Sequence, residues 1–179
     1  MKNILSLIVI SGLYCSLYAQ DARVLNSRGF HQAKKENYSR AIELFTQAIS
    51  LDEFYSDAYY NRALAFSKLG SYEKAIDDYG KAINLRPHFK NAYNNRGADR
   101  NELKDFNGAI EDYTKAIAID SGYARAYFNR GNVYMTVGEF EKAAADYTKA
   151  IRIDPGFSEA VQNKEIAKKR QQQQELVND

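Results

Sequence analysis

Residues 56–89 read SDAYYNRALAFSKLGSYEKAIDDYGKAINLRPHF, and residues 124–157 read ARAYFNRGNVYMTVGEFEKAAADYTKAIRIDPGF. Laid over one another, the two stretches align Asn61-Arg62-Ala63 with Asn129-Arg130-Gly131. Asn95-Arg96-Gly97 stands midway, 34 residues from each, and Ser27-Arg28-Gly29 lies one period earlier. Alanines keep the same spacing at 41, 75, 109 and 143, and again at 48, 82, 116 and 150, where each is followed by isoleucine. Aromatics keep it too, at Tyr38, Tyr72, Phe106 and Phe140, and at Phe45, Tyr79, Tyr113 and Tyr147. Four periods fit without insertion, at 22–55, 56–89, 90–123 and 124–157. Self-similarity at a fixed period of this length marks an array of small units that bury their apolar faces against one another.

Each period divides into two helical stretches around a break near Gly70 or Gly138. In the second unit they are predicted at roughly 56–69 and 72–85. Apolar residues recur three and four apart within them, as in Tyr72, Ile76, Tyr79 and Ile83. The alanine and glycine columns serve close helix approach, a small side chain facing a large one. Pro87 and Pro155 close two of the units, because proline cannot continue a helix and biases the residue before it away from helical geometry.

These residues resemble the tetratricopeptide repeat, and four matches in register cover residues 22–157. The resemblance implies an all-α fold, a right-handed helical-repeat solenoid of four helix pairs, with first helices lining a concave groove and second helices forming the outer face. Residues 158–179 are expected to form a C-terminal cap helix with a polar tail, with Ser158 as N-cap and Lys168-Lys169-Arg170 at the helix end, where basic charge is favoured.

Composition agrees. The chain has 179 residues, 45% hydrophobic and 27% charged, with two prolines and one cysteine. Lys plus Arg is 25 against 23 Asp plus Glu. That balance argues against nucleic acid as the main partner, which calls for a basic stripe. Lone Cys15 excludes an internal disulfide framework and a cysteine-based zinc site. Residues 1–19 have the layout of a cleaved signal peptide. Lys2 starts a mostly apolar run from Ile4 to Leu17, shorter than the roughly 20 residues a spanning helix needs, and Ala19-Gln20 marks the cut. The expectation is an exported protein, periplasmic or secreted, of a Gram-negative bacterium, with no membrane span after cleavage.

Catalysis has no support. His31 and His88 occupy unrelated places in different repeats, and no metalloprotease, phosphate-loop or nucleophile-elbow motif is present. No cofactor or metal is expected. The informative columns lie on the first helices. Asn61, Asn95, Asn129 and Asn163 stand 34 apart, with Ser27 in the matching first place. The resemblance implies that such asparagines face the groove and bond the main chain of an extended peptide. An amide offers both donor and acceptor, matching a peptide group without reading its side chain. Each bond contributes about 0.5–1.5 kcal/mol, so four would reach micromolar affinity at best without apolar help. Equally, these short polar side chains can join neighbouring helices or bond local backbone. The same resemblance adds Asn26, Tyr60, Leu64, Asn94, Phe128, Asn132 and Met135 as groove candidates, with Tyr60, Leu64, Phe128 and Met135 as apolar anchors. Phe30, Ala98 and Lys68 stand at further groove positions. Asn26 and Phe30 occupy the places of the family's first carboxylate-clamp lysine and asparagine, which argues against a clamp.

A second column is Arg28, Arg62, Arg96, Arg130 and Lys164, where the family usually has leucine. Half-buried charge needs a partner, and Asp78, Asp112 and Asp146 recur with the same period. Structural pairs Arg62–Asp78, Arg96–Asp112 and Arg130–Asp146 are expected. A register between adjacent repeats and a basic ladder for an acidic ligand are the alternatives. The third unit departs from the pattern: Asp99 and Arg100 replace apolar residues, Lys104 replaces the turn glycine and Ser121 the closing proline. Drift, with the two charges kept wet or paired, accounts for this more simply than function. The expected role is non-enzymatic capture of a protein or peptide segment in the groove. The alternative is a structural subunit of an envelope assembly that uses its outer face or ends, self-association included.

Overall fold

The computed structural model describes residues 19–178, and among them all regular structure is α-helical. The helices are α1 (19–34), α2 (Tyr38–Leu51), α3 (Ser56–Lys68), α4 (Tyr72–Leu85), α5 (Lys90–Glu102), α6 (Phe106–Ile119), α7 (Ala124–Thr136), α8 (Phe140–Ile153) and α9 (Ser158–Asn178). They belong to two compact units, Met1–Pro87 and His88–Asp179. In the first, α3 packs on both α2 and α4. In the second, each helix from α5 to α9 packs on the next, and α5 also touches α7. Apart from Ala19, which lies in α1, the expected signal peptide falls outside the described residues. None of the helices among the described residues is long and apolar enough to cross a membrane.

Small residues set how near the helices come. The two alanine columns, at 41, 75, 109 and 143 and at 48, 82, 116 and 150, are wholly buried. A third column, Ala58, Ala92, Ala126 and Ala160, is wholly buried as well. It supplies the seam between successive repeats: Ala48 clusters with Ala58, and Ala150 with Ala160. Within a repeat, the second helix sends one aromatic ring into the first. Phe45, Tyr79 and Tyr147 are completely buried and Tyr113 nearly so. A Cβ on Gly29 would lie 2.6 Å from the Phe45 ring, and one on Gly131 2.8 Å from the Tyr147 ring. Each buried ring contributes about 1.5–3 kcal/mol from the apolar area it removes from water.

The connections are short and recur. After α2, α6 and α8, the carboxylates of Asp52, Asp120 and Asp154 accept bonds from the backbone N–H groups of Phe54, Gly122 and Gly156, at 3.0, 2.9 and 3.1 Å. Such aspartate turns occupy the chain end without a continuing helix. The second repeat has Arg86 at that place, and it pairs with Asp57 instead. Inside the repeats the chain reverses through a left-handed residue. Gly70 (φ 72°) and Gly138 (φ 83°) adopt it freely, whereas Glu36 (φ 60°) and Lys104 (φ 62°) adopt it at a cost. That cost is about 1–2 kcal/mol, against about 0.4–1 kcal/mol of unfolded-state entropy that a glycine would add. Lys104→Gly is therefore expected to raise stability by about 0.5–1 kcal/mol, read as a higher urea midpoint at unchanged slope. A lower midpoint would refute the strain.

Two expectations for the last segment are corrected. Phe157, not Ser158, precedes α9. Ser158 is its first residue, and its hydroxyl donates to the Glu159 carboxylate at 3.2 Å instead of capping the backbone. The basic run Lys168–Arg170 lies mid-helix, not at the end. The helix continues through the glutamines, which are good helix formers, and Gln171 donates to Glu175 one turn on at 3.0 Å.

Candidate functional site: the polar faces of the first helices

Three members of the arginine column, Arg62, Arg96 and Arg130, are each paired within their own repeat. Arg62 donates from Nε and Nη2 to both carboxylate oxygens of Asp78, at 2.7 and 2.8 Å. Arg96 grips Asp112 in the same fork at 2.9 and 2.6 Å. Arg130 grips Asp146 at 2.8 Å through each arm. The three aspartates are buried. Two parallel charge-assisted bonds of this kind fix orientation as well as energy. The pairing holds the Arg62 and Arg130 guanidinium pKa above the ordinary value, the hydrogen bonds to Asp78 and Asp146 outweighing the opposing effect of burial.

The remaining arm reaches the repeat before. Arg62 Nη1 donates to Thr46 Oγ1 at 3.0 Å, and Arg130 Nη1 to Thr114 Oγ1 at 2.8 Å. Each arginine thus ties three successive helices, α2–α3–α4 or α6–α7–α8. Aromatic faces complete the cage: Tyr59 and Phe66 around Arg62, Tyr127 and Tyr134 around Arg130. The threonines were not singled out from the sequence, although Thr46, Thr114 and Thr148 share the period. With the guanidinium groups of Arg62, Arg96 and Arg130 each held by a buried carboxylate, these three positions are structural ion pairs.

In the third repeat Arg100 finds its partners locally. Arg100 stands where Phe66 and Tyr134 stand in its neighbours. It bonds Asp112 at 3.0 Å and the Gly108 carbonyl at 3.1 Å. Asp112 therefore serves two arginines. Asp99 is buried, 3% exposed, in the same helix.

The asparagines form amide pairs between repeats. In the first unit Asn61 Nδ2 donates to Asn26 Oδ1 at 3.0 Å, and Asn26 Nδ2 donates to the Tyr55 hydroxyl at 3.2 Å. In the second unit Asn129 Nδ2 donates to Asn94 Oδ1 at 3.1 Å, and Asn94 donates to Asn95 at 3.1 Å. Asn163 Nδ2 donates to Asn132 Oδ1 at 3.1 Å, an oxygen that also accepts from the Tyr147 hydroxyl at 2.8 Å. Burial pushes the Tyr147 phenol up to about 12. The structure therefore uses these side chains to join neighbouring helices, one of the two roles the sequence left open. An amide carries two N–H donors and a carbonyl oxygen. The pairing engages one donor of Asn61 and of Asn129, while Asn163 also bonds the Tyr147 phenol, and all three side chains are half-buried, not sealed.

The apolar candidates divide. The Phe128 ring lies 4.6 Å from Phe157 and 5.8 Å from Tyr147, centroid to centroid, and is committed to packing within the fourth repeat. Met135 packs on the buried cluster of Ala143, Tyr147 and Ala167. Tyr60 stacks, tilted, on Tyr79 at 5.9 Å. Leu64 instead borders an open recess of the first unit. Among the described residues, no three or more His, Cys, Asp and Glu side chains are grouped to hold a metal ion.

Comparison with known proteins agrees with this architecture. The family model described as "Tetratricopeptide repeat" matches residues 56–89 and 124–157, and one described as "TPR repeat" matches 100–138. A human protein, small glutamine-rich tetratricopeptide repeat-containing protein beta, is 48% identical over 46 residues, 26% of this chain and 15% of that protein. An uncharacterised protein of Methanocaldococcus jannaschii is 42% identical over 43 residues, 24% of this chain and 50% of its own length. The matches thus span half or less of the curated relatives. Among solved structures, the MamA protein is similar at a TM-score of 0.77 and 26% identity, covering 89% of this chain and 84% of that one. The first tetratricopeptide domain of Spaghetti, solved bound to the HSP90 peptide SRMEEVD, is similar at a TM-score of 0.65 and 26% identity, covering 66% and 94%. From the repeats, their helix pairs and these matches together, the chain belongs to the tetratricopeptide repeat family.

Proposed function

We propose that this protein is a non-enzymatic interaction module that holds an extended protein or peptide segment on the face formed by its first helices, in an exported compartment after loss of residues 1–19. The observation that carries the reading is the set of tethered amides. Asn61 and Asn129 are each oriented by one bond to a neighbouring first helix, and each carries a further N–H and a carbonyl oxygen, the complement of a peptide group. An amide held in advance loses less freedom on binding than a mobile one. A similar structure solved with a bound peptide supports peptide capture as the class of function.

A second reading rests on α9. Its Val161 and Ile166 are exposed although apolar, which suits an assembly subunit that associates through its end. Site-specific photo-crosslinking separates the two. A photoreactive residue at Lys68 or Ala98, on first helices, is expected to capture a partner, whereas one at Lys81, Lys115 or Lys149, on exposed positions of second helices, is not. Capture from the second set alone would overturn the proposal in favour of the scaffold. Alanine substitution of the asparagines is a poorer test, because it also removes bonds between repeats.

A further inference from the structure

The first unit contains a recess of about 230 Å³ that the asparagine reading does not use. At ~30 Å³ per water it has room for roughly eight, the scale of one large apolar side chain. Its wall is almost entirely apolar: Phe30 and Tyr38 from the first repeat, and Leu64 from the second, above buried Phe45. Phe30 is half exposed, an aromatic ring left facing solvent at the mouth. Two lysines line the recess, Lys68 and Lys34, the latter with its ammonium 4.9 Å from the centre of the Phe30 ring. No carboxylate lines the recess. Asn61, already tethered to Asn26, borders it too.

The second unit shows that this combination is particular to the first. One and two periods after Lys68, itself one period after Lys34, stand Glu102 and Thr136. One and two periods after Leu64 stand Ala98 and Asn132. Neither the apolar wall nor the cationic rim recurs there. A repeat scaffold does not require Lys34 and Lys68, since both side chains are exposed and the sequence varies at their place.

We propose that this recess is a specificity pocket for a partner segment in which one large apolar side chain is flanked by carboxylates, the apolar group entering between Phe30 and Leu64 and the carboxylates meeting Lys34 and Lys68. Charge complementarity selects this occupant. A basic segment would set like charges against both lysines, and a polar one would leave the apolar wall dry and unmatched. The inference rests on the proposed capture of a segment by the first helices and names the chemistry of what is captured.

The test is a titration of the ¹⁵N-labelled full chain with the blocked pentapeptide EELEE, followed by amide chemical shifts. Shifts are expected at the backbone around Phe30, Lys34, Leu64 and Lys68. Affinity should fall at least about tenfold for EESEE, for KKLKK and for EELEE with the Lys34→Glu/Lys68→Glu variant, ten-fold being the usual unit of a lost specific contact. Both lysines are exposed, and circular dichroism verifies that the variant keeps its helices. Equal binding of EESEE or KKLKK, unchanged binding by the variant, or no shift at about 1 mM peptide would overturn the pocket. So would sedimentation showing the recess occupied by a second copy of the chain, or variant-sensitive binding to phosphatidylglycerol vesicles in place of the peptide. Shifts confined to Asn95, Asn129 and Asn163 would sink the pocket while leaving capture by the first helices standing. Crosslinking from second helices alone, with no shifts at the pocket, would sink both.

Discussion

Asp112→Ala is expected to lower the unfolding free energy by about 3 kcal/mol, the low end of the loss incurred when one partner of a buried ion pair is removed. The cause is specific to the third repeat. Asp112 is 2% exposed and accepts from Arg96 through both oxygens and from Arg100 at 3.0 Å. Without it, Arg96 loses the carboxylate it grips, and Arg100 is left to the more exposed Asp105, 3.7 Å away. The low end applies because both arginines keep part of their surface in water. Asp146→Ala removes the partner of one arginine and should cost less. The control is Arg130→Leu/Asp146→Ala. An apolar replacement of a buried pair is often neutral, so the double variant should recover most of the Asp146→Ala loss. Chemical denaturation followed by circular dichroism reads all three. A loss below about 1 kcal/mol for Asp112→Ala would place the Arg–Asp pairs with ordinary surface ion pairs.

Gly29→Ala is the second large effect, and its sign runs against propensity. In an open helix the change gains about 0.5–1 kcal/mol. Here the new Cβ would lie 2.6 Å from Cε1 and 2.7 Å from Cδ1 of Phe45, a ring with no exposed surface into which to retreat. Overpacking of this kind costs about 1–3 kcal/mol, so net destabilisation is expected. Gly131→Ala, with 2.8 Å to the Tyr147 ring, should cost less, and Gly97→Ala, with 3.0 Å to the Tyr113 ring, least. The second repeat already carries Ala63 opposite Tyr79. Gly29→Ala/Phe45→Leu should be more stable than the sum of the two single changes, since a smaller side chain relieves the clash. Thermal midpoints ranked in any other order would show that ring contact is not what keeps these positions small.

The repeat, its two helices and the columns that build them were legible in the sequence because they are periodic. The helix pair read at 56–69 and 72–85 is found at Ser56–Lys68 and Tyr72–Leu85. Small residues facing large ones express a requirement that every repeat must meet, so each copy restates it. The same logic reached the partners of Arg62, Arg96 and Arg130 but not their register, since a period of 34 fits a pair within a repeat as well as one between repeats. The third column of alanines and the threonines that receive Arg62 and Arg130 are equally periodic, but a period alone does not say which neighbour a small or hydroxylated side chain meets.

Other features have no period to reveal them. The helical course of α9 through its glutamines, the commitment of Phe128 to a ring stack and the use of Asn94 inside the structure depend on which neighbours lie close in space. The recess between Phe30 and Leu64 is of the same kind. Its two lysines are one period apart, yet what makes them a rim is the open space between α1 and α3. Periodicity determined the architecture, because stacking imposes the same contacts on every copy. The candidate site was decided by tertiary structure, because a site arises where one repeat departs from the others and only packing shows what that departure faces.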